Sequence, residues 1–124
     1  MAFGLSTFYW LLLEWIKHCA EHTELLLSVC SGALILAKAD LLNGLSATTH
    51  QGAIEELKRI APRTNVQPDE RIVDNGNVIL SAGISAGIDM SLHVVAKLLG
   101  KSQALETATY MEYDWREGAL ILAN

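Results

Sequence analysis

The chain has 124 residues, 51% hydrophobic and 19% charged, the balance of one compact globular domain rather than a disordered or fibrous segment. A net charge of −5 with nine scattered Lys and Arg residues leaves no basic stripe, so no nucleic-acid partner is expected. Two cysteines, Cys19 and Cys30, without a repeated spacing argue against a disulfide framework and for a reducing, cytoplasmic setting. The apolar run 8–13 is followed by Glu14, Lys17 and His18. It is too short to span a bilayer and lacks the basic start of a signal peptide, so neither membrane insertion nor secretion is expected.

In chain order, Phe8, Leu12, Trp15, Ile16 and Cys19 recur at helical spacing and predict a helix over 8–21 with that stripe buried. The apolar run 25–29 predicts a parallel strand covered on both faces, and a helix over 31–42 follows at once, stopped by Asn43-Gly44. A short extended piece over 47–50 leads to a helix over 51–60, which Pro62 ends. Residues 71–74 and 77–80 flank Asn75-Gly76 and predict a β-hairpin with a type I′ turn. The small residues 81–87 read as a loop, the stripe Ile88, Leu92, Val95, Leu99 as a helix over 88–99 ended by Gly100, and 102–112 as a last helix. The tail 115–124 carries no assignable period, and no internal repeat is present.

Strands alternating with helices predict an α/β layered fold with a mostly parallel sheet. Strands are too few for a complete doubly wound domain. A helix follows Met1 almost at once, so 1–124 reads as a single, partial domain truncated at its N-terminal side.

Ser28-Val29-Cys30-Ser31-Gly32-Ala33 joins a strand to a helix with no linker, the construction of a nucleophile elbow. Such a turn projects Cys30 from the strand end beside the first free N–H groups of the helix, which offer an oxyanion hole and a positive dipole end. The competing reading is an inert buried cysteine, and that reading is preferred for Cys19 on the apolar stripe of its helix. No Cys, His and carboxylate set is read at zinc-ligand spacing, and 83–87 is not a phosphate-cradling loop, so no metal and no cofactor are expected.

Val29-Cys30-Ser31-Gly32-Ala33-Leu34, Leu41-Leu42-Asn43-Gly44, Ala47-Thr48-Thr49-His50, Val78-Ile79-Leu80-Ser81-Ala82-Gly83 and Gly87-Ile88-Asp89 occur in the order and spacing of the ThiJ/PfpI family. The chain resembles that family, part of the class I glutamine-amidotransferase-like superfamily, over about residues 8–114, and is most similar to its isonitrile hydratase branch. The resemblance implies a flavodoxin-like domain in which Cys30 attacks an isocyanide carbon and water completes an N-substituted formamide. Ser31, where the family has threonine, is implied to assist proton transfer or hold the hydrated intermediate. Gly32 and His50 are implied to lie at the substrate or oxyanion, with a hydrogen-bonding structural role as the alternative for His50.

The acidic partner in the family precedes the aligned region, and Glu14, Glu21 and Glu24 do not match it. Asp89 is expected to stabilise a helix N-terminus and His93 to flank a helix. The partners implied are a small-molecule substrate and a second copy of the chain, as a homodimer or larger assembly. Two other functions remain open: a non-catalytic ligand-sensing module and a degenerate fragment that folds through its partners.

Overall fold

The computed structural model describes residues 2–122. Its elements are α1 (Ala2–Glu21), β1 (Leu26–Ser28), α2 (Ala33–Lys38), β2 (Ser46–Ala47), α3 (Ile54–Ile60), β3 (Asn65–Val66), β4 (Ile72–Asp74), β5 (Val78–Ser81), α4 (Ile84–Leu99), α5 (Lys101–Tyr110) and β6 (Leu120–Ile121). Single 3₁₀ turns over Cys30–Gly32 and Gln51–Ala53 precede α2 and α3. The main sheet has the order β1-β5-β4-β6, with β1 parallel to β5, β6 parallel to β4, and β4 antiparallel to β5. β2 and β3 form a separate parallel pair. The mixed, mostly parallel α/β layering matches the expected fold class.

β5 is the centre of the packing. Val78 and Leu80 face Leu36 and Ala37 of α2 and Leu57 of α3, whereas Ile79 faces Met90 of α4 together with Ile72. Burial on both faces explains why β5 reads as a continuous apolar run. Each such side chain removed from water contributes about 1.5–3 kcal/mol.

Several boundaries differ from the sequence expectation. α2 stops at Lys38 rather than at 42, because Asp40 takes a left-handed φ of 59°. Leu41 N–H then bonds to Leu36 O and Asp40 N–H to Ala37 O, each at 3.0 Å, the paired bonds of a Schellman motif. The hairpin turn is shifted by one residue. Asn75 N–H donates to Val78 O at 3.0 Å, so the central residues are Gly76 and Asn77, and Gly76 carries the positive φ of 102° at the position where type II′ takes glycine. Asn75 is buried instead. Its amide accepts from Ser46 N–H at 3.1 Å and donates to Ser46 O at 2.9 Å, which ties β2 to the hairpin.

α4 starts at Ile84, so residues 84–87 are helical and not a loop. A Cβ on Gly87 would lie 3.3 Å from Val29 Cγ1, and glycine there lets the helix close on the end of β1. The expected buried stripe of α1 is corrected: Phe8 and Trp15 are 72% and 63% exposed, while Leu13 is buried and Ile16 packs on the core. Among the described residues, β1 pairs on one side only, and its other edge is unpaired. Among the described residues, no helix is long and apolar enough to cross a membrane.

The unassigned tail acquires order through the buried Asp89 carboxylate and the backbone of Asp74; its last residues, 123–124, lie outside the described residues. Asp89, expected at a helix N-terminus, lies beyond the first turn of α4 and is fully buried. It pairs with Arg71 and accepts from Tyr113 Oη and Arg116 N–H, both at 3.0 Å. A second Schellman turn, with Glu112 at φ 55° and Tyr113 N–H on Ala108 O at 2.9 Å, aims Tyr113 at it. Leu122 N–H then bonds to Asp74 O at 2.9 Å beside β6.

Asp74 itself faces His93, which is thus more than a flank residue: Nε2 lies 2.8 Å from Oδ2, with Lys97 Nζ 3.1 Å from both oxygens and Gly76 N–H at 2.7 Å. Burial alone would push the Asp74 carboxyl up. The bonds from His93, Gly76 and Lys97 outweigh it and hold the group below its ordinary value. A depressed carboxyl binds fewer protons folded than unfolded, so its stabilisation is present above the unfolded value, about 3.9, and is lost as pH falls through the folded one. Asp74→Asn is therefore expected to lower the melting temperature at neutral pH and to shrink the loss of stability below about pH 4. Thermal melts across the acid range measure both, and parallel wild-type and variant curves would contradict the assignment.

Candidate functional site

The turn after β1 is built around one strained residue. Cys30 has φ 55°, a left-handed conformation that costs a non-glycine residue roughly 1–2 kcal/mol. Its backbone is held at both ends: N–H donates to Ala82 O at 3.0 Å, and the carbonyl accepts from His50 N–H at 3.2 Å and Thr49 Oγ1 at 2.9 Å. Ser81 Oγ adds a bond to Ser28 O at 3.0 Å. These bonds bring β1, the β5–α4 junction and the segment after β2 to one point.

The turn is 3₁₀ over Cys30–Gly32, and α2 begins only at Ala33. Gly32 N–H donates to Val29 O at 2.9 Å and so closes the turn. Among the described residues, Ser31 N–H makes no hydrogen bond, which leaves an open donor on the residue after Cys30. In an elbow, the N–H of the residue after the nucleophile is one arm of the oxyanion hole. Ser31 is exposed.

Cys30 is half-buried and opens into a cleft of about 330 Å³ lined by Val29, Ile84, Gly87, Ile88 and Ser91. The walls are apolar, and no lining residue is acidic or basic. His50 meets Cys30 through its backbone, while its ring lines a neighbouring hollow of about 270 Å³ with Arg71 and Gly83. His50 Nδ1 accepts from Gly52 N–H at 3.0 Å, which assigns the proton of the neutral ring to Nε2. The structure thus joins Cys30, Ser31 and Gly32 in one turn and sets His50 behind it. A hollow of about 320 Å³ beside β4 and β6, lined by Ile72, His93 and Trp115 among others, holds no cysteine, serine or threonine.

Thr49 was not singled out by sequence, yet it is buried and fixes the Cys30 carbonyl. Its only signal is its place in Thr48-Thr49-His50. Cys19 is half-buried on α1. Among the described residues, His18, Glu21 and His22 stand at i, i+3 and i+4 at the C-terminal end of α1, with ligand atoms within 4.8 Å of one another.

Residues 8–97 match the model of the DJ-1/PfpI family. The chain is 34% identical over 101 residues to an isonitrile hydratase of Pseudomonas putida, covering 82% of this chain and 43% of that protein. It is 31% identical over 97 residues to the HTH-type transcriptional regulator CdhR of Pseudomonas aeruginosa, covering 78% of this chain and 29% of the regulator. The crystal structure of a ThiJ/PfpI family protein from Pseudomonas syringae superposes with a TM-score of 0.73 at 33% identity, over 85% of this chain and 42% of the other. The chain spans less than half the length of each of these relatives. With its elbow, its layered sheet and these likenesses, the chain belongs to the DJ-1/PfpI family.

Proposed function

We propose that Cys30 is the nucleophile of a hydratase-like reaction that converts a small isonitrile to an N-substituted formamide. The observation that carries this reading is the left-handed turn at Cys30, which opens the sulfur into an apolar cleft beside the unbonded Ser31 N–H. The thiolate adds to the terminal carbon of the isonitrile, and that carbon takes a proton to give a thioimidate. Water then adds to the same carbon. Collapse of the hydrated intermediate breaks the carbon–sulfur bond, returns the thiol and leaves the formamide. Ser31 Oγ is the nearest hydroxyl in sequence for the proton, and Ser31 N–H faces the developing charge. The apolar walls suit a hydrocarbon substituent.

A ligand-sensing role is the second reading. Its support is the likeness to the regulator CdhR together with a cleft that carries no acidic residue. A third reading, a fragment completed by other chains, draws on the unpaired edge of β1 and the exposed apolar side of α1. The same surfaces support a homodimer or larger assembly. A reducing, cytoplasmic setting fits two free cysteines.

Three outcomes separate these readings. Alkylation at neutral pH with peptide mapping should label Cys30 faster than Cys19, and equal labelling in the folded chain would defeat the elbow reading. Hydration of an alkyl isonitrile is expected to be slow, below ~1 s⁻¹, because no carboxylate lines the cleft. Cys30→Ala should abolish it. Activity unchanged in that variant would show a different site, and saturable isonitrile binding without turnover would favour sensing. Light scattering after size exclusion should give a mass above the 13.5 kDa of one chain, and a monodisperse 13.5 kDa species that unfolds cooperatively would exclude the assembly.

A further inference from the structure

We infer that the last turn of α1 is a binding site for a divalent transition metal, zinc by preference, held by His18, Glu21 and His22. All three side chains are exposed, and their ligand atoms already lie within 4.8 Å of one another. Around zinc, ligands at about 2.0–2.2 Å from the ion stand a little over 3 Å apart, a gap that small rotations of exposed side chains close. Two imidazoles and one carboxylate are a donor set that suits zinc and leaves a coordination position open for water.

The helix end prepares one ligand. His22 N–H bonds to Cys19 O at 3.0 Å, a tightened last turn that leaves the His18 carbonyl without its usual helical donor. His22 Nδ1 lies 2.8 Å from that carbonyl oxygen and donates to it. The remaining lone pair of the neutral ring is then on Nε2. A ring nitrogen bonded to a backbone carbonyl, with the other left to the metal, is the usual support of a zinc-bound histidine. The two rings sit with centroids 4.5 Å apart.

The charge balance points the same way. Glu21 is the last residue of α1, at the negative end of the helix dipole, where a carboxylate is disfavoured and a cation favoured. Within α1 the nearest opposite charge is Lys17, and that amine pairs with Glu14 at 3.1 Å. A divalent ion would answer Glu21 and the helix end together. The site adjoins the start of β1, whereas Cys30 follows its end, so zinc here is independent of the cysteine chemistry.

The test is titration of the full chain with Zn²⁺ in competition with a chromogenic chelator, with Mg²⁺ as the control. The expected result is one saturable zinc per chain and no competition by Mg²⁺, which prefers oxygen ligands. His18→Ala and His22→Ala should each weaken binding at least tenfold and Glu21→Gln by less, with helix content unchanged by circular dichroism. Because a variant could disturb the helix end, the wild-type chain supplies a second readout. Imidazole ¹⁵N shifts of His18 and His22 should move first on zinc addition, and a Co²⁺ adduct should lack a sulfur-to-metal charge-transfer band. Undiminished affinity in the His18→Ala/His22→Ala double variant, a thiolate band, or no saturable binding would overturn the assignment.

Discussion

The rest of the structure depends on the backbone clasp at Cys30. A cysteine in the left-handed region relaxes to an extended or right-handed conformation unless its surroundings forbid it. Here two chain segments forbid it at once: Ala82 takes the N–H, and the adjacent Thr49 and His50 hold the carbonyl. The same bonds fix the distance between β1 and the start of α4, and the missing side chain of Gly87 lets the two close on Val29. Strain, strand order and cleft are therefore one feature. Core packing around β5 supplies the free energy that keeps the strained turn in place.

Much of this was legible in the sequence, because the signals were local. The apolar run before Cys30, the hairpin around Asn75-Gly76 and the stripe of α4 each carry their period within a few residues, and the elbow follows from a strand meeting a helix without a linker. What was not legible depends on tertiary partners. Asp40 gave no sign that it would end α2, since a left-handed aspartate is selected by the Schellman bonds it permits. Residues 84–87 look like loop because Ser85, Ala86 and Gly87 are small, and Gly87 is where the helix closes on Val29 at the end of β1. Phe8 and Trp15 have the spacing of a buried stripe, yet burial needs a covering element, and among the described residues none packs there. β6 has two residues and no period at all.

Polar interactions inside the layers follow one rule: each buried charge is answered from more than one direction. Asp74 receives His93, Lys97 and Gly76, and Asp89 receives Arg71, Tyr113 and Arg116. A buried carboxylate with a single partner would be costly, and removal of one partner leaves the charge to the others. The C-terminal segment hangs on the Asp89 carboxylate of α4 and on the backbone of Asp74 in the hairpin.

That arrangement orders the birth of the protein. Asp89 lies ahead of Tyr113 and Arg116 in the chain, so during synthesis α4 emerges from the ribosome carrying a carboxylate that only Arg71 can meet. Until residue 116 is out, burying that group is expensive, and α4 has reason to stay loosely docked on the sheet. The elbow, whose outer wall is α4, is thus completed late, after the segment that latches it rather than when Cys30 itself is made.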